Sequence, residues 1–355
     1  MNSANNEVRR QFGSDNYAGM CPEALAALAK ANHGHARGYG DDPWTAEAIR
    51  LIRELFETEC EVFFVFNGTA ANALALAALC QPYHSILCHE MSHVEMDECG
   101  APEFFSSGAK VRLVSGPNAK IEPAAIERMA SHGRDVHFPK LRAISITQAT
   151  ELGTVYTADE LKAVGDTCRK LGLRLHMDGA RFANAVASLK VAPSEITWKA
   201  GVEVLCLGGS KNGMAVGEAV VFFNRELARE FDYRRKQAGQ LASKMRFISA
   251  PWVGMLQEGA WLRHAEHANA MAVYLEKQLR TIPQVKQLFP RQANAVFADL
   301  PMDLIQGLWD RGWMFYQFVG KTGCRLMCAW DMTENDIDQF VADIRALISQ
   351  SSARA

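Results

Sequence analysis

A lysine just past an apolar strand and fenced by small residues, Gly208-Gly209-Ser210-Lys211-Asn212-Gly213, is a candidate for covalent chemistry. On its own Lys211 reads as a solvated lysine in a turn. Delivered to the crevice side of a sheet it is desolvated, and burial disfavours its ammonium form. The neutral amine is the species that forms an imine with an aldehyde. Upstream, His176-Met177-Asp178-Gly179-Ala180-Arg181 ends another apolar strand. Asp178 there is either a helix N-cap or a carboxylate that keeps a heterocyclic nitrogen protonated. Arg181 suits bidentate pairing with a carboxylate or a phosphate.

Two further segments complete the set. Asn67-Gly68-Thr69-Ala70-Ala71-Asn72 follows a strand and opens a helix with small residues. It is a helix cap or an anion cradle built from free N–H groups and the helix dipole. It is neither the dinucleotide fingerprint nor a P-loop, so nucleotide binding is not indicated. Cys88-His89-Glu90-Met91-Ser92-His93 places two histidines after a short strand, either as packing residues or with one stacked on a flat cofactor. Phosphate cradle, stacking histidine, nitrogen-pairing carboxylate and imine-forming lysine occur in that order, each after its own strand. Together they point to pyridoxal 5'-phosphate (PLP) more specifically than any one of them does.

Such residues need a scaffold that sets strand ends side by side. Apolar stretches at Glu61 to Phe66, Ser85 to Cys88, Leu141 to Ile146, Leu173 to Met177, Val202 to Leu207 and Ala219 to Phe223 alternate with helical ones such as Ala70 to Cys80. The alternation predicts an α/β fold with a mostly parallel central sheet flanked by helices. Ligands in such folds bind at the carboxyl ends of the strands. After about Pro251 a long helical stretch, Gly259 to Leu279, leads into a smaller α+β pattern. The expected division is a large unit over 1–254, N-terminal arm included, and a small C-terminal unit over 255–355.

Composition bounds the partners. The chain has 355 residues, of which 48% are hydrophobic, and a net charge of -2. That is ample for a large core and lacks the basic face a nucleic-acid binder needs. The longest apolar run, Ala70 to Cys80, contains Asn72 and is too short to cross a bilayer. Met1 to Arg10 is polar, without the apolar stretch of a signal peptide. The nine cysteines are scattered, and no second pair or histidine cluster joins Cys324 and Cys328 in a zinc site. No metal is expected, and a cytoplasmic protein with reduced thiols is.

The same residues resemble the threonine aldolase family, PLP-dependent enzymes of fold type I. The resemblance rests on Ser14-Asp15-Asn16, Tyr39-Gly40-Asp41-Asp42-Pro43, Asn67-Gly68-Thr69, Ser92-His93 with Glu98, His137-Phe138-Pro139, His176 to Arg181 and Ser210-Lys211. It implies that Lys211 holds PLP, Asp178 its ring nitrogen, and Gly68 and Thr69 its phosphate, with His93 stacked on the ring. Arg181 serves the cofactor site and, with Ser14 and Arg325, clamps the substrate carboxylate. The implied reaction is retro-aldol cleavage of L-threonine, L-allo-threonine and related β-hydroxy-α-amino acids to glycine and an aldehyde. His93, His137 or a water held by either would take the hydroxyl proton.

Two departures stand out. Thr147-Gln148-Ala149-Thr150-Glu151 replaces the N-T-H segment of many members, and Arg235 to Arg246 replaces a glycine-rich stretch. These resemble the bacterial low-specificity branch, which includes relatives that prefer phenylserine. Aryl preference, β-elimination and hydroxymethyl transfer on the same scaffold remain alternatives, as does a PLP binder without activity. The resemblance also implies a homodimer or homotetramer with active sites at the interface, where Arg235 or Lys236 of a neighbouring subunit reaches the phosphate.

Overall fold

A computed structural model describes residues 10–132 and 135–354. The reading of residues 1–9 as lacking an apolar leader lies outside them. Seven strands form the central sheet: β1 (Glu61–Val65), β2 (His84–His89), β3 (Lys110–Val114), β4 (Lys140–Thr147), β5 (Arg174–Gly179), β6 (Val204–Leu207) and β7 (Glu218–Phe222). Their order is β1-β7-β6-β5-β4-β2-β3. All run parallel except β7, which is antiparallel to both neighbours. Only ten residues separate Leu207 from Glu218. A parallel return needs a dozen or more, so β7 must come back antiparallel.

The sheet is apolar on both faces because both are covered. Along β6, Leu205 and Leu207 enter one core with Ile52, Phe56 and Trp252. Val204 and Cys206 enter another with Leu74, Leu76 and Phe231. That is the period-2 alternation of a strand read on two buried sides. The helix Gly68–Leu79 fills the second face and is buried almost all round, as its run of Ala and Leu dictates. β3 was not anticipated. It lies at the sheet edge, and its Lys110 and Arg112 break the apolar signal.

The C-terminal region forms a second sheet of β8 (Lys286–Gln287), β9 (Ala295–Asp299), β10 (Tyr316–Val319) and β11 (Gly323–Met327), all pairs antiparallel, in the order β10-β11-β9-β8. The helix Ala260–Leu279 joins the two cores: Trp261 and Ala265 pack in the large one, Leu275 and Leu279 in the small one. The N-terminal arm touches both: Phe12 packs in the small core, while Asp15 pairs with Arg181 after β5. Phe12 donates its N–H to Met314 O and accepts from Met327 N–H. Its ring lies 4.7 Å from that of Phe340 and 5.8 Å from that of Trp313. Among the described residues no helix is long and apolar enough to cross a membrane.

Candidate active site

The carboxyl ends of β4, β5 and β6 meet around Lys211. After Leu207 the chain turns through Gly208 and Gly209 into the short turn Ser210–Asn212. A Cβ on Gly208 would stand 2.4 Å from the Ala180 carbonyl oxygen, so the lysine loop presses directly on the loop after Asp178. Lys211 and Asp178 line a cavity of about 390 Å³. It adjoins a lobe of about 150 Å³, and His93, Asp178, Ala180 and Lys211 belong to both walls. Burial holds the Lys211 ammonium below the usual lysine range, and the Arg181 charge adds to this against the pull of Asp15, Asp178 and Glu218.

Asp178 is 4% exposed and stays ionised. Burial alone would raise its pKa. The charges of His93 and Lys211, with hydrogen bonds from Ala180 N–H and Asn72 Nδ2 at 2.9 and 2.8 Å, outweigh that and lower it. Asn72 also donates to Glu98 Oε1 at 2.8 Å, and the same oxygen lies 2.8 Å from His93 Nδ1. The hydrogen bond to Glu98 raises the His93 pKa, while burial opposes it and Asp178 supports it. Burial raises the Glu98 pKa as well, with the hydrogen bonds from His93 and Asn72 opposing it. His93, Glu98 and Asp178 bring one ligand-type atom each within 4.8 Å, and Asn72 donates to both carboxylates while His93 pairs with Glu98.

The anion end lies at the helix Gly68–Leu79. Asn67 Oδ1 caps it by accepting Ala70 N–H at 2.9 Å, and Gly68 and Thr69 line the cavity. The first N–H groups of a helix have no partner within it, which favours a bound anion. A Cβ on Gly68 would meet open space.

The smaller lobe gathers the cations. Arg181 Nε and Nη2 donate to the two carboxylate oxygens of Asp15, both at 2.8 Å. Arg325 donates to Gly13 O at 3.1 Å, and its buried Nε has no partner. Burial and then the neighbouring Arg181 charge press the Arg325 pKa down to about 10. Ser14 completes this wall, its Oγ accepting Asn16 N–H at 3.1 Å. One buried carboxylate facing two guanidinium groups leaves room for a second anion.

Thus Ser14, Gly68, Thr69, His93, Asp178, Arg181, Lys211 and Arg325 come together. His137 does not. Its side chain is 83% exposed and pairs with Asp135 at 3.0 Å. His89 is a packing residue: Nδ1 accepts Met91 N–H and Nε2 meets the Gly116 backbone. Arg235 is buried and bound within its own chain to Phe64 O and Asp232, so it is not free to reach a neighbour. Sequence reading gave no role to Asp15, Asn72 or Glu218. All three lie within segments already singled out or next to them. Asp15 and Asn72 bond far along the chain, to Arg181 and Asp178, whereas Glu218 accepts Gly209 N–H at 2.6 Å from the nearby β6–β7 turn.

The set fits a planar, anionic aldehyde cofactor. A buried ionised carboxylate suits a cationic ring nitrogen, the orphaned Asn72 Oδ1 has unused acceptor capacity, and the open helix terminus suits a phosphate. Two larger depressions, of about 730 and 740 Å³, lie elsewhere. The first surrounds Arg174 and Glu203, which already pair at 2.5 Å near the amino ends of β5 and β6.

Fold and site together define an α/β protein of fold type I, the architecture of PLP-dependent enzymes. The Leishmania major threonine aldolase structure superposes with a TM-score of 0.90 and 28% identity, covering 95% of this chain and 99% of that one. The beta-eliminating lyase family model matches residues 11–302, and the chain belongs to that family. Within the family it groups with the threonine aldolases. A low specificity L-threonine aldolase of Pseudomonas sp. is 60% identical over 340 residues, 96% of this chain and 98% of that protein. A second, from Pseudomonas aeruginosa, is 59% identical over 339 residues, covering 96% and 98%.

Proposed function

We propose that this chain cleaves L-threonine, L-allo-threonine and other β-hydroxy-α-amino acids to glycine and an aldehyde, with PLP held on Lys211. The observation that carries this reading is the adjacency of two lobes. One joins Lys211, Asp178 and the Gly68–Thr69 turn, and the other joins Lys211 to Arg181 and Arg325. When bound, PLP withdraws electrons from Cα, which lets the Cα–Cβ bond break. Asp178 keeps the ring nitrogen protonated, and Asn72 holds Asp178 in place. Gly68 and Thr69 bind the phosphate. His93, fixed by Glu98, stacks on the ring. Arg181, Arg325 and Ser14 hold the substrate carboxylate and so orient the scissile bond.

Phe318 lines the smaller lobe beside Arg325, which supports a second reading in which aryl-bearing substrates such as phenylserine are preferred. Phe66, half-exposed at the mouth of the larger lobe, supports a homo-oligomer in which a neighbouring subunit covers the site. Nine free cysteines support a reducing, cytoplasmic compartment.

The test is to incubate the protein and PLP with L-threonine, L-allo-threonine and phenylserine while assaying glycine, aldehyde and ammonia. Glycine and aldehyde in equal amounts are expected. Ammonia without glycine would replace cleavage by elimination. Lys211→Ala should lose the lysine-linked cofactor absorbance.

A further inference from the structure

We propose that Glu151 is the base that takes the proton of the substrate β-hydroxyl; this rests on the cleavage reading above and names its missing proton acceptor. Glu151 sits four residues past the end of β4, at the end of the sheet that carries Asp178. Thr147, the last residue of β4, pairs in register with Asp178. Thr147 Oγ1 donates to Glu151 Oε1 at 2.8 Å, and His93 N–H donates to the same oxygen at 2.9 Å. The carboxylate is thereby tied to both the strand end and the His93 segment. It lines the smaller lobe together with Lys211, Arg181 and Arg325.

The other oxygen, Oε2, is buried and accepts no hydrogen bond. A buried carboxylate oxygen left without a donor costs stability. Glu151 is anchored by one oxygen and keeps the other as an unused acceptor. Burial, only partly offset by the Thr147 hydrogen bond and with the Asp178 charge adding to it, raises this carboxyl to about 7. A base with that affinity is half-ionised near neutrality and holds a proton well enough to draw it from a hydroxyl.

The competing groups around the lobe are committed or outlying. Asp178 is held by Asn72 and Ala180 N–H and faces the position of the ring nitrogen. His93 Nδ1 is taken by Glu98, and that hydrogen bond raises the imidazole pKa while burial opposes it. Asp97 is exposed at the rim. His137 is on the surface. Arg181, Arg325 and Lys211 are the cations facing Glu151 across the lobe.

The step balances without a further reactant. The hydroxyl proton moves to Glu151 Oε2, and the O–H electron pair becomes the second bond of the aldehyde carbonyl. The Cα–Cβ bond breaks with its electrons going to Cα. Cα then gains a proton to give glycine, and Glu151 returns its own to solvent.

The experiment compares wild type with Glu151→Gln, which keeps the Oε1 acceptor for Thr147 and His93. Three readouts are taken. The first is kcat for L-threonine against pH. The second is exchange of the glycine α-proton with solvent, which needs Lys211 and the cofactor but no hydroxyl base. The third is the melting temperature of the cofactor-free protein against pH. Expected results are a kcat loss of about 100-fold or more, glycine exchange within about threefold of wild type, and loss of the acid limb of the kcat profile.

In the cofactor-free protein, a carboxyl raised above its unfolded value loses stability as pH rises from about 4.5 to about 7. Wild type should therefore fall relative to Glu151→Gln across that window. Wild-type kcat in the variant overturns the proposal. So does equal loss of cleavage and exchange with cofactor still bound, which would mark a structural residue. If Glu151→Gln does not fold, Glu151→Asp replaces it: the shortened carboxylate should lower kcat, keep the acid limb and leave glycine exchange as in wild type, and equal loss of cleavage and exchange overturns the proposal. A wild-type protein that cleaves none of the three amino acids refutes the cleavage reading instead.

Discussion

Asp15 illustrates what a single side chain does here that its neighbours in sequence do not announce. It is 1% exposed and grips Arg181 through both oxygens, with Asn294 Nδ2 donating from the small unit at 3.1 Å. Burial would raise its pKa, but the Arg181 charge and hydrogen bond, with Lys211 and Asn294, bring it below the ordinary value. Removing one member of a buried pair strands the other. Asp15→Ala should cost about 3–5 kcal/mol by denaturant unfolding and raise KM for the amino acid as Arg181 loses its orientation. Because the folded pKa is depressed, this contribution is present above the unfolded value near 3.8 and disappears as pH falls through the folded one. The wild-type acid unfolding limb should be steeper than that of Asp15→Asn. The letters Ser14-Asp15-Asn16 stood out in the sequence, but the partner of Asp15 lies 166 positions away, and no local pattern encodes that. Lys211 and Asp178 were legible because each ends an apolar strand, a signal carried within a few residues of the side chain itself. His137 misled for the opposite reason: its three-residue segment matched, while nothing around it fixed where the ring would point.

At the scale of elements, the site depends on how closely the turns after β5 and β6 approach each other. Both strands were legible from their apolar runs, and their neighbourhood followed from the parallel architecture. The contact between turns was not, because it depends on the missing side chain of Gly208. Gly208→Ala would set a methyl carbon within 2.4–2.7 Å of the Ala180 backbone. One of the two loops must then retreat, separating Lys211 from Asp178. The expected result is a large loss of PLP affinity, read by cofactor titration, with far-UV circular dichroism retained.

A contrasting change lies in the helix Ala158–Leu171. Thr157 caps it and Glu160 returns the bond, closing a reciprocal box at the N-terminus. Thr157→Ala should cost about 1 kcal/mol of stability and leave kcat as it was. If it instead lowered kcat and not the melting temperature, helix and site would be coupled in a way these contacts do not provide. The edge strand β3 and the reversal of β7 were the less legible elements. One has its apolar residues interrupted by Lys110 and Arg112, and the direction of the other is set by the length of a loop rather than by its own residues.

For the molecule as a whole, the two sheets each contribute to the lining of the smaller lobe. Lys211, Asp178 and the helix terminus belong to the seven-stranded sheet, whereas Arg325 comes from β11 of the small one. The N-terminal arm bridges them. Phe12 is fully buried between Trp313 and Phe340, and three residues later Asp15 reaches Arg181 on the large unit. The arm thus ties the clamp to the small core through one aromatic anchor. Phe12→Ala removes a buried ring and should cost about 3–5 kcal/mol. It should also release the arm, and with it the support for Asp15 and hence for Arg181. Cofactor binding, which depends on the large sheet, should change little, so the variant separates the two lobes. The expected signature is a lower melting temperature, a raised KM for L-threonine and an unchanged dissociation constant for PLP. A loss of PLP affinity as large as the rise in KM would mean that the two units are a single cooperative body around the site. Loss of stability without any rise in KM would mean that Arg181 is held by Asp15 alone, with no help from the arm's burial in the small core.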